Sequence, residues 1–498
     1  MNFEERNIAL IGEADICKFF YLQFRSVLNI EYIFTTNMDY VFCDQFSVKC
    51  MPLKEDIIIE KNLLLVLCTE HLFRQTYDEL LFYKGFEWGT DYIDCLYVVQ
   101  YYRHKYNVEM EKKKIWIFGA GNNGRNFYEE YKELYHICGF ISNMETEKEY
   151  LGLPVVRPDC LSKMEKCYVV ICSDASILMS RQLIALGYRG DRDYGFPFFL
   201  PKKLFIAMGT CQIAYTTEIL IKNKSFNLQF STSIYFENIY EPGSDSDHKR
   251  LKSYGEFCDV VFFNVRNAGA LWQRDYELLL NRYYKNAERL YLPFYSFKGQ
   301  LMQAVDQINP YALKIVDGNR GYLWWRGDKE INHMVEDQCT PEEIFCKLSR
   351  LDYWSQESVN DNFVKELKKI EIWDRFSSFP IKPFIEANYK EKLLFNDGIH
   401  FSNHLGLYLA NEIAKHLCLK EIAEREIINE TENRLASEMP VYPCVRYALG
   451  LHLEEKVKFY NLKRDELEYL SFEEYIRRYA EYIADTCDFF EKVGTFYR

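Results

Sequence analysis

The sequence predicts an α/β protein: two tandem parallel-sheet units, then a larger α/β sandwich, then a helical C-terminal extension. Three observations carry this. Short apolar runs, Ile8 to Gly12 and Ile115 to Gly119, each end in glycine and lead into a helix-like segment. Continuous apolar runs, Leu63 to Cys68 and Tyr168 to Cys172, read as strands buried on both faces. These pieces recur in a matched order. Each copy continues through a helix-like stretch to Lys84-Gly85-Phe86 or Leu186-Gly187-Tyr188, and six residues after that glycine each copy reads Asp-Tyr (Asp91-Tyr92, Asp193-Tyr194). Strands alternating with helical patterns imply βαβ units. The repeat therefore predicts two Rossmann-like units, 1–105 and 112–200.

A short hinge at Pro201 precedes a fresh apolar run, Leu204 to Met208, and further strands are expected at Val260 to Asn264 and Arg289 to Pro293. The stretch Glu241 to Lys252 reads as a polar loop. Thr340-Pro341-Glu342-Glu343 is a helix start, with Thr as cap, Pro at the first helical position and Glu343 closing a capping box. Helical spacing from His404 to Leu417 ends the third unit, 203–430. The polar segment Ile428 to Ala436 reads as a linker or exposed helix end. The remainder, 431–498, is rich in Tyr, Glu and Arg, carries a capping box at Ser471 and Glu474, and is expected to be helical and packed on the third unit.

Composition narrows the function. The 498 residues carry 61 Lys+Arg against 74 Asp+Glu, a formal charge of −13 that disfavours general nucleic-acid binding. Sixteen cysteines run from Cys17 to Cys487 without a CxxC pair, and histidines number nine, so neither a zinc ribbon nor a disulfide scaffold is expected, and no metal. The acidic start has no signal-peptide layout, and the apolar run ending at Cys68 is broken by Glu60 and Lys61. The expectation is a soluble, reduced, cytoplasmic chain without a membrane span.

Gly119-Ala120-Gly121-Asn122-Asn123-Gly124-Arg125 follows a strand and opens a helix, the context in which glycines let backbone approach a phosphate. The next strand, His136 to Ile141, ends in Ser142-Asn143, without the acidic residue that holds a ribose; this lowers the NAD reading. With Gly139 to Asn143 and Leu151 to Leu161, the arrangement resembles the small Rossmann-type domains of bacterial surface-sugar enzymes, such as the sugar-nucleotide-binding part of sialic-acid and bacillosamine-type acyltransferases. The resemblance implies a nucleotide-sugar contact at Gly119, Gly121 and Gly124. A Rossmann fold that binds nothing is the plainer alternative.

Gly209-Thr210-Cys211-Gln212 sits between a strand and a helix-like stretch. A nucleophile at such a turn stands at the sheet edge, where helix N-terminal amides favour a thiolate or oxyanion. Taken alone, a buried structural cysteine is the better reading for any one of sixteen. Asn396-Asp397-Gly398-Ile399-His400 supplies a complement: a carboxylate three residues before an imidazole can orient it as a general base. A strand-Gly-x-nucleophile turn with a late Asp-x-x-His resembles the SGNH (GDSL-like) hydrolase superfamily, with Cys211 where that family places serine. More closely, the region 203–490 resembles the WcbI family of capsular polysaccharide biosynthesis acetyltransferases. That family carries a Gly-Asn-Cys-Gln turn and an Asp-x-x-His-Pro segment followed by glycine, here matched by Gly209 to Gln212, Asp397, His400 and Gly406. The stretches 292–299 and 380–388 resemble its intervening loops. Thr210 replaces the family's Asn and Phe401 its Pro. The resemblance implies an SGNH-hydrolase-like α/β/α sandwich, coenzyme A or acetyl-CoA as co-substrate, and acetyl transfer to a glycan or sugar-nucleotide acceptor, alongside polysaccharide-assembly enzymes.

Asn264 and Asn267 follow a strand and are candidates for an oxyanion site with Gly209, Thr210 and Gln212; an ordinary turn is the alternative. Arg320 and Arg326, the latter beside Trp324 and Trp325, could line a sugar or nucleotide pocket. His333 and His404 read as surface or helix-start residues. Three functions compete: an acyltransferase using Cys211, His400 and Asp397; an esterase or deacetylase using the same residues with water; and a non-catalytic nucleotide-sugar-binding scaffold.

Overall fold

The computed structural model describes residues 3–35, 48–52, 63–69, 81, 85–144, 148–236, 245–264, 279–305, 311, 313–315, 321–323, 327–424, 437–461 and 466–493. The first sheet holds β1 (Asn7–Gly12), β2 (Asn29–Thr35), β3 (Lys49–Pro52), β4 (Leu64–Cys68) and β5 (Tyr92–Asp94). All its pairings are parallel, in the spatial order β3-β2-β1-β4-β5. The second sheet holds β6 (Lys114–Phe118), β7 (His136–Ile141), β8 (Glu149–Tyr150), β9 (Leu153–Val156), β10 (Tyr168–Ile171) and β11 (Tyr194–Gly195), in the order β11-β10-β6-β7-β9-β8. Apart from the antiparallel β8, it repeats the first sheet strand for strand. Both are Rossmann-like in order: the chain starts in the middle, builds one edge, then crosses back to build the other.

The sequence repeat has a physical cause. Gly85 and Gly187 take φ of 76° and 85°, and the next residues, Phe86 and Tyr188, donate their N–H to Leu81 and Leu183 at 3.0 and 2.9 Å. The aspartates of the two Asp-Tyr landmarks then act alike. Asp91 Oδ2 accepts from Glu87 N–H at 2.8 Å, and Asp193 Oδ2 from Arg189 N–H at 3.1 Å. Each thereby closes the turn that delivers the edge strand.

A third sheet is formed by β12 (Lys203–Gly209), β13 (Phe230–Phe236), β14 (Val260–Phe263) and β15 (Glu288–Tyr291), all parallel, in the order β13-β12-β14-β15. Its central strand β12 is buried from Leu204 to Gly209, as the uninterrupted apolar run requires. Antiparallel pairs β16 (Leu313–Ile315) with β17 (Gly321–Leu323), and β18 (Val457–Asn461) with β19 (Glu466–Leu470), follow. The expected capping boxes at Thr340/Glu343 and Ser471/Glu474 are formed.

Three expectations are corrected. The polar stretch from 241 contains a helix, Asp245–Gly255. The C-terminal extension is not purely helical: the β18–β19 hairpin lies between helices Pro443–Leu449 and Phe472–Val493. Cys50 is disulfide-bonded, whereas the other described cysteines from Cys17 to Cys444 are free thiols. The expected linker at 428–436 lies outside the described residues.

Buried side chains of all three parallel sheets, among them Leu10, Val169, Ile171, Ile206 and Val261, join in one apolar cluster. A second cluster joins the other face of the third sheet (Phe205, Phe262) to the C-terminal segment (Tyr442, Phe459, Ile483). Among the described residues no helix is long and apolar enough to cross a membrane.

Candidate active site

The site is built where β12 ends. Gly209 has φ of +145°, and a Cβ there would lie 2.1 Å from Asn264 Oδ1. Gly12 and Gly119 close the first strands of the other two sheets in the same way, abutting Cys68 O and Cys172 O. The third sheet thus uses the same strand–glycine–helix turn, with a side-chain amide where the others have a backbone carbonyl. Asn264, at the end of β14, accepts from Thr210 N–H at 2.9 Å and donates to Thr210 Oγ1 at 2.8 Å. The helix Cys211–Leu220 begins directly after, with Thr210 as N-cap but without a side-chain cap hydrogen bond. Cys211 is thus the first helical residue, half-buried.

The second half comes from the loop between Phe395 and Phe401, which pair as an isolated bridge. Asn396 N–H donates to His400 O at 2.8 Å, and Gly398 turns the chain at φ +87°. Asp397 Oδ1 accepts from the N–H groups of Ile399 (3.1 Å) and His400 (2.9 Å), while Oδ2 lies 2.6 Å from His400 Nδ1. One carboxylate therefore fixes both the loop and the imidazole, leaving Nε2 as the ring nitrogen available to Cys211. Helix Asn403–His416 follows with Ser402 as its cap. It packs on the Cys211 helix at Gly406, where a Cβ would stand 2.7 Å from Ile219 and 2.8 Å from Tyr215.

Cys211 and His400 meet in a small cleft with Gln212, Tyr215 and Phe401. Burial acts to lower the His400 pKa, but the Asp397 carboxylate and the hydrogen-bonding Cys211 sulfur outweigh it and push it up to about 10. The ring is therefore an imidazolium at neutral pH. The pair combines a sulfur at a helix N-terminus with a cationic ring held by a carboxylate, an arrangement suited to nucleophilic group transfer.

The other sequence candidates fall into three sets. Gln212 is buried, and its amide is fully engaged by main chain at Tyr295 and Ile399. Both ends of the Asn264 amide are held by Thr210. These two side chains build the turn and the loop contact. Asn267, Arg320 and Arg326 lie outside the described residues. Gly119, Gly121 and Gly124 sit at the start of helix Asn122–Tyr131 in the second sheet and belong to a separate place. Gly119 and Gly124 are required by backbone crowding, whereas Gly121 faces open space. Beside them, Asn143 and Gln182 exchange two amide hydrogen bonds of 2.9 Å, which occupies the end of β7. His333 is an exposed helix residue, and His404 binds Glu424 at 3.1 Å outside the cleft lining. Tyr215 was missed; it lies one turn after Cys211, a spacing that places it on the same helix face. Phe401, noted only as a replacement for proline, is a wall of the cleft. Among the described residues no group of His, Cys, Asp or Glu is arranged to hold a metal ion.

No family model and no curated protein matches the chain. Among solved structures it is similar to WcbI. That protein is described as a novel polysaccharide biosynthesis enzyme, in a native form without a disulfide bond between coenzyme A and one of its cysteines. The match has 16% identity and a TM-score of 0.42, over 59% of this chain and 94% of that chain.

Proposed function

We propose that the protein is an acyltransferase of cell-surface or capsular polysaccharide biosynthesis, with a coenzyme A thioester as donor and a sugar hydroxyl as acceptor. The observation that carries this reading is the meeting of Cys211, at a helix N-terminus, with an imidazolium oriented by Asp397. Because His400 already holds a proton, the covalent course is favoured over direct deprotonation of the sugar by His400.

In that course the Cys211 sulfur attacks the thioester carbonyl as a thiolate, and the carbon–sulfur bond to the donor breaks. His400 gives its proton to the departing thiolate and becomes neutral. It then takes the proton of the sugar hydroxyl as that oxygen attacks the acyl-cysteine, and Cys211 leaves as a thiolate again. Asp397 keeps the imidazole in one tautomer throughout. The Thr210 hydroxyl is held by Asn264 instead of capping the helix, and Ile213 N–H donates to Thr210 O, so the N–H groups of Cys211 and Gln212 are the ones offered to the developing oxyanion. Tyr215 and Phe401 flank the acyl end of the donor. The cleft lining contains no Lys or Arg among the described residues, so this reading places the donor's phosphates beyond the cleft.

The test is calorimetric titration with coenzyme A, followed by acetyl transfer from acetyl-CoA to a panel of sugar acceptors. Saturable binding is expected, with transfer falling at least about 100-fold in Cys211→Ala and in His400→Ala. Full transfer in both variants would remove the assignment. Acetate release from acetylated glycans without coenzyme A would replace it with hydrolysis.

A further inference from the structure

Gln212 follows Cys211 in the chain, is 1% exposed, and touches both halves of the site. Its Nε2 donates to Ile399 O at 2.8 Å and to Tyr295 O at 2.6 Å, and its Oε1 accepts from Tyr295 N–H at 3.0 Å. Both amide hydrogens are thereby used. Ile399 O belongs to the peptide whose N–H is that of His400, and that N–H donates to Asp397. Tyr295 belongs to the stretch after β15, where Phe297 N–H donates to Gly398 O at 2.9 Å. Three segments far apart in sequence, 211–212, 295–297 and 397–400, are therefore tied through one side-chain amide.

We propose that Gln212 is a positioning residue, a planar clamp that sets the approach of His400 to Cys211 by gripping the peptide beside the histidine. The inference rests on the Cys211–His400 pairing of the proposed function. The chemistry of the contact is specific. Two carbonyl oxygens need two donors, and one N–H needs an acceptor, all within one plane. A glutamate of the same size would offer no donor to Ile399 O and would set its charge against two carbonyls. A methionine would leave three buried main-chain groups unpaired. Asparagine keeps the amide but is one methylene short.

The experiment is alkylation of Cys211 by iodoacetamide as a function of pH, read by peptide mass spectrometry, with exposed Cys346 as internal reference. It needs no substrate, so it separates the clamp from the transfer reaction. Wild type, His400→Ala, Gln212→Glu, Gln212→Met, Gln212→Asn and the Gln212→Glu/His400→Ala double variant are compared after a check of folding by circular dichroism. Displacement of a reacting pair by an ångström carries large rate effects, so loss of the clamp is expected to slow Cys211 labelling at neutral pH by about tenfold. The rate should approach that of His400→Ala, the double variant should be no slower, and the asparagine variant should lie between. Folded variants that label Cys211 with the wild-type rate and pH profile would overturn the clamp, as would additive effects in the double variant. If every Gln212 variant fails to fold, hydrogen–deuterium exchange on the wild type decides. The Tyr295 amide must exchange among the slowest in 292–299, and rapid exchange there overturns the proposal. Labelling of wild type that does not depend on His400 would overturn the pairing itself, and with it both readings. A His400-dependent, Gln212-dependent thiol in a protein that transfers no acyl group would leave the clamp standing and remove only the transferase.

Discussion

Gly209 carries a demand that no other residue meets. Its φ of +145° is strained for an L side chain, and the space a Cβ would take is held by Asn264 Oδ1. Asn264 cannot swing aside without releasing both of its bonds to Thr210, whose turn places Cys211. Gly209→Ala is therefore expected to cost about 3 kcal/mol or more from strain and lost hydrogen bonds. Gly121→Ala should cost under about 1 kcal/mol, the difference between Gly and Ala at an N-cap, since nothing stands within 4 Å of that Cβ. Urea unfolding of both variants checks the contrast; equal losses would show that the Asn264 contact does not fix the turn. At this scale the sequence was half legible. The nucleophile turn and Asp397–His400 announce themselves through short-range spacing. Gln212 and Asn264 do not, because their partners are main-chain atoms or a hydroxyl many residues away. Nothing in a lone amide distinguishes a substrate contact from a clamp.

Among elements, the strands were legible and several of their companions were not. Strands such as β1, β4, β6, β10 and β12 are buried on both faces, so they appear as unbroken apolar runs. Helix Asp245–Gly255 is mostly polar and carried no such pattern. The hairpin β18–β19 mixes helix-favouring Lys, Glu and Leu with strand-favouring Val, Phe and Tyr, so propensity was divided and pairing with packing decided. Helix Lys329–Glu336 shows what holds these later elements. Its cap, Asp328, is fully buried and accepts from Glu330 N–H, Ile331 N–H and the Tyr442 hydroxyl, while its own N–H meets the Tyr479 hydroxyl. Burial raises the Asp328 pKa to about 7; the Tyr442 hydroxyl and the two amides oppose this, and Glu330 adds to it. A raised carboxyl pKa means that the folded chain keeps a proton the unfolded chain has lost. Stability is then lost as pH rises from the ordinary carboxyl range to about 7 and is constant above it, by up to about 4 kcal/mol. Asp328→Asn retains an acceptor for the cap and has no charge to bury. Its melting temperature relative to wild type should rise between pH 5 and pH 8, and a pH-independent difference would refute the assignment.

At the scale of the whole molecule, the three parallel sheets are locked together instead of strung on linkers. Helix Cys95–Lys105, next to the first sheet, sends Arg103 across to Asp259 with two hydrogen bonds of 2.7 and 2.9 Å. Asp259 immediately precedes β14, and its Oδ2 also accepts from Leu204 N–H of β12 at 2.7 Å. Close by, Trp88 stacks on Tyr254, Arg250 lies 4.3 Å from the Trp88 ring centroid, and the Tyr254 hydroxyl bonds to Asp94. On the second sheet, the Tyr194 hydroxyl donates to Leu22 O at 3.0 Å and Phe196 N–H to Gln23 Oε1 at 3.2 Å. With one apolar cluster running through all three, opening any one sheet exposes the core of the others. Calorimetry of the wild type should therefore show these sheets melting in one transition. Arg103→Ala leaves the Asp259 carboxylate without its cation at a contact that is 14% exposed on the Arg103 side and 29% on the Asp259 side. That partial exposure holds the loss to about 1–2 kcal/mol, below that of a fully buried pair. The whole transition should move down together, and the Cys211 turn one strand-length away should lose protection with it. Separate transitions, with only the first shifted by Arg103→Ala, would show instead that the first sheet melts on its own and that the contacts with β12 and β14 are peripheral.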